Sequence, residues 1–394
     1  MTFMQFSPFM SVEPSATVAI NSLALKQKAL GKRIYNLSAG EPMVATHPLI
    51  MDAAKKAIDE GKTHYPPVSG IPELRHAATN WLNATYQTNY AAENCLITAG
   101  GKFGLYAFFQ AAITPGDEVL MMAPYWVSYP AMVRLFGGVP KVVPSFPEQS
   151  WKVGPDDLEK NLSDKTKILV LNNGGNPTGI LYTAKELHSL LAWAQEKKIM
   201  VISDEVYSGL TYDDHIFVSA ASFPEFRNDL VVVQSCSKHF AMTGWRVGMV
   251  FAPLLIIEKL TMIQSQSTSG ASSISQFAAL AALNAATKIV PLVRQEMQAR
   301  RDIFMRVFAS SFHSLSSPFA GLYLFAALQD LGVPTNDSVS FCYQALDQAG
   351  VAIVPGKAFG QEGYVRFSFG AEAGELETGL RHLTSFIHSE YEKK

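Results

Sequence analysis

The sequence predicts an α/β protein built on a mostly parallel sheet, with a smaller α+β domain beside it. Short apolar runs, rich in β-branched residues, alternate with helical segments between residues 95 and 251. Strands that alternate with helices at this spacing form parallel sheets whose two faces are both covered. After about residue 289 the pattern changes to one long helix followed by shorter strands and helices, which is typical of a separate α+β unit.

Seven strands are expected in the main sheet, and the last of them is expected to run antiparallel to it. They are 95–98, 118–122, 139–143, 167–171, 199–203, 230–234 and 247–251. The segments between them predict helices at 102–113, 127–136, 155–161 and 183–197. Ahead of the sheet we expect helices at 16–31, 48–61 and 72–87, and a short strand at 36–42 that enters a turn.

The rest of the chain predicts the smaller domain. We expect a helix at 289–312, strands at 322–327, 351–354 and 364–369, and helices at 336–349 and 373–391. The first 45 residues are expected to complete this unit. The predicted division is therefore a large domain at 46–290 and a small domain formed by 1–45 and 291–394.

Composition excludes several classes of function. The 394 residues carry a net charge of −2, so no overall field attracts nucleic acid or an anionic membrane. Three dispersed cysteines predict neither a disulfide framework nor a metal site, and no His-Glu-x-x-His motif is present. Both common nucleotide-binding fingerprints are missing. The amino terminus lacks a signal-peptide pattern, so we expect a cytoplasmic protein with no membrane segment.

The strand at 230–234 leads directly into the most informative stretch of the chain. It ends in Ser235-Cys236-Ser237-Lys238, and Arg246 follows eight positions after the lysine. A strand can hold a single lysine at a site, and an arginine can bind an anion such as phosphate with two parallel hydrogen bonds. This combination predicts that Lys238 binds the aldehyde of a cofactor as a Schiff base.

Polar segments also follow three other predicted strands. They are Ala99-Gly100-Gly101-Lys102, the run Asn172 to Gly179, and Ser203-Asp204-Glu205-Val206-Tyr207. Alone, each is more simply a turn or a solvated loop. Because the carboxyl ends of parallel strands share one edge, these segments and Lys238 are expected to converge on one site.

Taken together, these segments resemble the class I aminotransferases of pyridoxal-phosphate fold type I, and within them the bacterial aspartate and aspartate/prephenate aminotransferases. The resemblance covers nearly the whole chain. The matching segments are 14–19, Ser38-Ala39-Gly40-Glu41-Pro42, 61–65, 70–75, Ala123 to Pro130, Asn176-Pro177-Thr178-Gly179, 203–207, Ser237-Lys238, Gly244-Trp245-Arg246-Val247-Gly248 and 365–368.

The resemblance implies a role for each matching residue. Lys238 would bind pyridoxal 5′-phosphate covalently and later move a proton, and Asp204 would pair with the pyridine nitrogen. The phosphate would lie against the helix that begins at Gly100, Gly101 and Lys102, with Ser235, Ser237 and Arg246 around it. The other implied cofactor ligands are Tyr207 and Asn176 at the ring oxygen, Trp126 on the ring face, and Tyr65 from the neighbouring subunit. The last of these implies a homodimer.

The resemblance also implies where the substrate binds. Arg366 would hold the α-carboxylate bidentately, with Gly40, Trp126 and Asn176 beside it. Lys102, near the Ser15–Thr17 segment, would bind a distal carboxylate; alternatively, it only begins a helix in solvent. The expected reaction is ping-pong transfer of the amino group of aspartate to 2-oxoglutarate. The open alternatives are a prephenate, aromatic or alanine aminotransferase and a pyridoxal-phosphate-dependent lyase. A sensor domain of a transcription regulator is not expected, because the matching segments begin near residue 14 and the near-neutral charge gives no support for DNA binding.

Four features depart from the family pattern or invite a second interpretation. The loop at 43–48 is longer than in many relatives, which puts substrate choice in question. Asn173-Gly174-Gly175 replaces a more usual Ser-Pro-Asn, which is expected to loosen the turn before Asn176. Cys236 is expected to be a small buried residue rather than a redox-sensitive thiol. We expect His239 to have a structural role rather than to act as a base.

Overall fold

A computed structural model describes residue 12 and residues 16–312 and 315–391 of the chain. The helices are α1 Ala16–Ala29, α2 Pro48–Asp59, α3 Pro72–Tyr86, α4 Gly101–Ala112, α5 Ser128–Leu135, α6 Pro155–Glu159, α7 Ala184–Glu196, α8 Leu254–Ser265, α9 Ser273–Asn284, α10 Ala286–Ala309, α11 Ser338–Gln348 and α12 Ala373–Tyr391. The strands are β1 Tyr35–Asn36, β2 Cys95–Thr98, β3 Glu118–Ala123, β4 Val139–Pro144, β5 Thr166–Leu171, β6 Met200–Asp204, β7 Leu230–Ser235, β8 Gly248–Phe251, β9 Tyr323–Ala327, β10 Val351–Ala352, β11 Val354–Pro355 and β12 Tyr364–Ser368.

Seven of these strands form the central sheet, in the order β2-β8-β7-β6-β5-β3-β4. Strand β8 runs antiparallel to both of its neighbours, and the other pairs are parallel. The predicted α/β fold with a mostly parallel seven-stranded sheet is therefore confirmed, and so is the antiparallel strand at 247–251.

Strand β7 shows why the sheet strands appear in the sequence as continuous apolar runs. Leu230 and Val232 pack into a core cluster on one side of the sheet, whereas Val231 and Val233 pack into a second cluster on the other side. Successive side chains of a strand point to opposite faces. Helices cover both faces of this sheet, so every position of β7 is apolar or enclosed, and its alternation in polarity is lost.

The smaller sheets correct two predictions of strand extent. The predicted strand at 351–354 is two short strands, because Val351 pairs with Tyr35 whereas Val354 pairs with Arg366. The predicted strand at 36–42 is also shorter, since β1 ends at Asn36. Beyond it, the carbonyl of Leu37 accepts a hydrogen bond from the Ser368 backbone at 2.7 Å. In both places a short segment forms hydrogen bonds with two different neighbours, so the stretch that the sequence predicts as one strand is divided.

Helices α8 and α9 lie in a part of the chain for which the sequence pattern indicated no element. Helix α9 packs against α2 and α3, and its alanine-rich surface is buried at Ala278, Ala279 and Ala282. A helix enclosed on several sides shows no polar stripe to reveal its period. Among the described residues, no single helix is long and apolar enough to cross a membrane; α9 and α10 pass that test only as a pair bent by 89°.

Backbone pairing joins the start of the chain to its last third. Strand β1 pairs in parallel with β10, and the small three-stranded sheet has the order β11-β12-β9. These contacts support a small unit built from both ends of the chain, with its boundary near residues 45 and 291. That boundary stays a prediction.

Candidate active site

The carboxyl ends of five strands of the central sheet surround a cavity of ≈ 240 Å³. Asp204 and Ser235 are the last residues of β6 and β7, and Asn172 follows β5. Trp126 lies beyond the end of β3, and Gly101 begins α4 after β2. Polar residues reach one cavity because parallel strands end at the same edge.

The cavity brings together most of the residues predicted from the sequence. Its lining includes Gly40, Gly101, Lys102, Trp126, Asn176, Asp204, Tyr207, Ser235, Ser237, Lys238, Arg246 and Arg366. Gly100 adjoins it, since a Cβ atom placed there would lie 2.5 Å from Nη2 of Arg246. Tyr65 lies elsewhere: it is 93% exposed and lines a separate surface depression with residues 268–274.

One end of the cavity has the features of a phosphate site. The amino terminus of α4 points into it at Gly101, and the unpaired backbone N–H groups of a helix start attract anions. Ser235 and Ser237 lie at the same end and are joined by a 2.9 Å hydrogen bond between their hydroxyls. Arg246 is held by a hydrogen bond from Nη1 to the carbonyl of Thr243 at 2.9 Å.

Lys238 extends from the turn after β7 towards the middle of the cavity. Its Nζ donates a hydrogen bond to the carbonyl of Gly40 and lies 5.8 Å from the centroid of the Tyr207 ring. Burial lowers the pKa of Lys238. Tyr323 and Glu41 oppose this change, whereas Arg366 and Arg246 add to it. This shift increases the neutral fraction of the amine, which is the form that can act as a nucleophile or a base.

Asp204 is buried, and its carboxylate is held from two sides. Oδ2 accepts a hydrogen bond from the Tyr129 hydroxyl at 2.7 Å, and Oδ1 accepts one from the Val206 backbone at 3.4 Å. Burial raises the pKa of Asp204 to about 6, although the hydrogen bond from Tyr129 opposes the increase. The carboxylate is therefore still largely ionised at neutral pH and can pair with a cationic group.

Arg366 reaches the cavity from β12 and is almost fully buried. Its Nη1 donates to Oδ1 of Asn176 at 3.1 Å, and its Nη2 donates to the Ser38 carbonyl at 2.7 Å. Its Nε has no hydrogen-bond partner among the described residues, although it is buried. A buried donor without a partner costs free energy, so this side chain is suited to binding a carboxylate.

Lys102 is partly exposed at the start of α4, and its Nζ lies 4.8 Å from the centroid of the Trp126 indole ring. Partial desolvation lowers the pKa of Lys102, and repulsion from Arg246 and Lys238 adds to the shift. The cavity lining contains four basic side chains and a single acidic one, Asp204, among the residues described. An excess of positive charge in a cleft attracts anionic ligands.

Several lining residues were not identified from the sequence. Tyr129 binds Asp204, and Tyr323 contacts both Tyr207 and Arg366. Tyr129 lies inside the Ala123-to-Pro130 segment, so its motif was visible but its contact was not. Tyr323 stands in a run of apolar residues, where nothing in the pattern separates a buried polar contact from ordinary core packing.

The turn before Asn176 is held firmly, contrary to the expectation that it would be loose. Oδ1 of Asn172 accepts from the Asn176 backbone at 3.0 Å, while its Nδ2 donates to the Asp204 carbonyl at 3.1 Å. Asn173 makes a second bridge, donating to the Val218 carbonyl at 2.9 Å and accepting from the Tyr182 backbone at 2.9 Å. Side chains of the turn itself thus replace the rigidity that proline would supply.

Cys236 and His239 are both buried next to the Lys238 turn. Burial raises the pKa of Cys236 to about 12, which keeps it a thiol, as expected for a packing residue. Burial lowers the pKa of His239 to about 4, and its ring stacks on Trp81 with centroids 5.5 Å apart. Its neutral ring packs away from the cavity lining, which agrees with a structural role.

The fold and this arrangement of side chains define an aminotransferase, and comparison with known proteins identifies the family. Residues 32–383 match the model of aminotransferase class I and II, and the chain belongs to that family. A probable aspartate/prephenate aminotransferase of Thermus aquaticus is 36% identical over 380 residues, which cover 96% of this chain and 97% of the relative. An aspartate aminotransferase of Geobacillus stearothermophilus is 36% identical over 385 residues, with 96% and 98% covered.

A solved structure shows the same likeness in three dimensions. The aspartate aminotransferase of Thermus thermophilus with maleate superposes with a TM-score of 0.92 at 34% identity. The match covers 97% of this chain and 100% of that one. Membership of the family implies pyridoxal 5′-phosphate as the cofactor, with amino acids and 2-oxo acids as substrates.

Proposed function

We propose that this protein transfers the amino group of L-aspartate to 2-oxoglutarate, with pyridoxal 5′-phosphate bound through Lys238. The observation that carries the proposal is the distribution of positive charge around that lysine. Arg366 offers a buried guanidinium with an unpartnered Nε on one side, and Lys102 offers a second cation beside Trp126. Aspartate and glutamate carry two carboxylates, and each needs its own cationic partner.

The residues around the cavity fit this cofactor. Gly101, Ser235, Ser237 and Arg246 would hold its phosphate, because they combine a helix start with hydroxyl donors and a fixed cation. Asp204 would hold the pyridine nitrogen, since a buried carboxylate is stabilised by a protonated ring. When bound, the cofactor supplies an electron sink that stabilises negative charge at the substrate α-carbon.

The remaining cofactor contacts fix its orientation. Trp126 presents a flat aromatic face inside the cavity, and the hydroxyl of Tyr207 and the amide of Asn176 would bind the ring oxygen. Asn176 is already aligned by its 3.1 Å contact with Arg366. Asn176, which would bind the ring oxygen of the cofactor, therefore also contacts Arg366, which would bind the substrate α-carboxylate.

Lys238 would both anchor the cofactor and move the proton. Its lowered pKa favours the neutral amine, which can accept a proton from the substrate α-carbon once the covalent link to the cofactor has been released. Its position between the Tyr207 ring and the Gly40 carbonyl limits where Nζ can reach. A lysine held in this way returns the proton within the same enclosed space.

The second subunit of a homodimer would supply Tyr65. This tyrosine is 93% exposed and lies outside the cavity, although it matches a family position that binds the cofactor phosphate. A contribution of Tyr65 to the site of the partner subunit would explain why it is exposed in the single chain. A Tyr65→Phe variant should then bind the cofactor more weakly, and equal mixtures with Lys238→Ala should form hybrid dimers in which only one of the two sites is intact.

Prephenate is the second candidate for an amino acceptor. The Thermus aquaticus relative carries both substrates in its name, and the loop at 43–48 departs from the common family pattern. Prephenate also carries two carboxylates, so the same cations would serve. Comparing 2-oxoglutarate with prephenate as acceptors separates the two candidates.

A half-reaction screen tests the proposed function. Single amino acids are added to the cofactor-loaded protein, and the change in cofactor absorbance is followed. Aspartate and glutamate should convert it rapidly, alanine slowly, and the Lys238→Ala variant should show no multiple turnover. Preference for alanine or an aromatic donor would refute the choice of substrate, and release of pyruvate with ammonia from an amino acid would refute the reaction.

A further inference from the structure

Tyr323 lines the cavity, although the proposed function gives it no role. It is the first residue of β9 and is 2% exposed. In the pairing of β9 with β12, Arg366 lies opposite Phe325. Tyr323 is two positions from Phe325 on the same strand, so its side chain and that of Arg366 project from the same face of the sheet.

The hydroxyl of Tyr323 lies 2.9 Å from the hydroxyl of Tyr207, and the two rings meet edge to face at 5.8 Å. A phenol has a single proton to donate. In the proposed function, Tyr207 uses that proton for the ring oxygen of the cofactor. Tyr207 must then accept from Tyr323, which fixes the direction of the hydrogen bond between them.

The ring of Tyr323 makes a separate contact with Arg366. The guanidinium carbon lies 4.3 Å from the centroid of Tyr323 and 5.0 Å from that of Phe359. The cation thus contacts two aromatic rings, and both contacts are buried. Two flat rings restrict a planar guanidinium to the orientation in which its edge can meet a carboxylate.

Gly40 allows Tyr323 to occupy this position. A Cβ atom at residue 40 would lie 2.4 Å from the Tyr323 hydroxyl, closer than atoms can approach. The hydroxyl cannot easily move aside, since it is already bound to Tyr207. The lack of a side chain at Gly40 therefore leaves space for the Tyr323 hydroxyl.

We propose that Tyr323 is a positioning residue that links the substrate clamp to the cofactor: its hydroxyl supports Tyr207, and its ring aligns Arg366. This inference rests on the proposed function and assigns a further residue to the same site. Accepting a hydrogen bond from Tyr323 makes the Tyr207 hydroxyl a stronger donor. Tyr207 then draws more negative charge from the cofactor ring oxygen.

The hydroxyl is tested with Tyr323→Phe, read from the pH dependence of the holoenzyme absorbance without substrate. Weaker donation by Tyr207 leaves more negative charge beside Nζ of Lys238, which then holds its proton more tightly. The spectroscopic pKa should rise by about half a unit to one unit, the size expected for one neutral hydrogen bond. The KM for aspartate should stay within about twofold, because the ring still covers Arg366.

The ring is tested with Tyr323→Leu, and Phe359→Leu is the matched control. Each loses one aromatic face over Arg366, so each should raise the KM for aspartate by roughly two- to thirty-fold. Only the Tyr323 variant should also shift the spectroscopic pKa, since Phe359 has no hydroxyl to donate. Thermal unfolding confirms that each variant is folded before it is compared.

A Tyr207→Phe background separates this inference from the proposed function. If Tyr323 acts through Tyr207, adding Tyr323→Phe to that background should change the spectroscopic pKa no further. An unchanged pKa in the single variant, or an equal shift in both backgrounds, would overturn the role of Tyr323 alone. If instead the wild-type protein forms no cofactor band that depends on Lys238, the proposed function itself is wrong.

Discussion

Replacement of Tyr129 by phenylalanine should weaken cofactor binding selectively at lower pH. Tyr129 is 1% exposed and donates to Oδ2 of Asp204 at 2.7 Å. Phenylalanine keeps the ring, which also packs edge to face on Trp126 at 5.3 Å, and removes only the hydroxyl. The carboxylate then keeps the long 3.4 Å contact with the Val206 backbone but loses its short one.

The size of the effect follows from the hydrogen bond that is lost. A hydrogen bond to a charged group contributes roughly 1.5–3 kcal/mol. At 1.36 kcal/mol per unit, its removal should raise the pKa of Asp204 by about one to two units. Because the starting pKa is about 6, the carboxyl group of the variant would be about half protonated or more at neutral pH.

Fluorescence titration of the cofactor-free protein with pyridoxal 5′-phosphate across neutral pH measures this shift. The ionised carboxylate favours binding, so affinity is retained above the pKa of Asp204 and lost as the pH falls through it. The variant should lose affinity at a pH about one to two units higher than the wild type. Tyr182→Phe is a matched control, since Tyr182 is buried but bonds to Val153 instead. Equal pH profiles for wild type and Tyr129→Phe would refute the assignment.

Three further substitutions test other parts of the site. Lys102→Ala should lower the ratio of kcat/KM for aspartate to that for alanine by about tenfold or more, the effect of losing one charged partner; an unchanged ratio would exclude Lys102 from the distal carboxylate. Gly40→Ala should displace the Tyr323 hydroxyl and raise both the spectroscopic pKa of the holoenzyme and the KM for aspartate; normal values of both would contradict the close approach. Glu205→Gln should destabilise the protein by about 1–3 kcal/mol, because its buried carboxylate accepts bonds from Ser219 and the Ala220 backbone. Urea denaturation checks this last value, and an unchanged midpoint would be the contrary result.

The sequence alone determined the central sheet and the half of the site that lies on it. Asp204 and Lys238 could be placed on one edge because each follows a run of apolar, β-branched residues, and the ends of parallel strands converge. These are local signals, with each strand and its polar turn contained in about ten residues. The spacing of these residues does not indicate what each side chain does; those roles were implied by the resemblance to aminotransferases.

The sequence was less informative where one segment serves more than one partner. Residues 351–355 form two strands with different neighbours, and this division depends on where β1 and β12 lie. Helix α9 is enclosed by other helices, so it lacks the polar stripe that reveals a helical period. In both places the local sequence is compatible with more than one secondary structure, and packing against neighbouring elements selects the observed one.

Only the tertiary structure showed how Gly40, Tyr323 and Arg366 contact one another in the lining of the cavity. Gly40, Tyr323 and Arg366 are far apart in the chain, yet the Tyr323 hydroxyl lies beside Gly40 and its ring lies 4.3 Å from Arg366. Arg366 could be matched to a family motif, but Tyr323 looked like one more apolar core position. A buried tyrosine whose hydroxyl binds a partner differs from one that only packs in the core by the presence of that partner. Long-range strand pairing brings such partners together, and it leaves no periodic signal in the sequence.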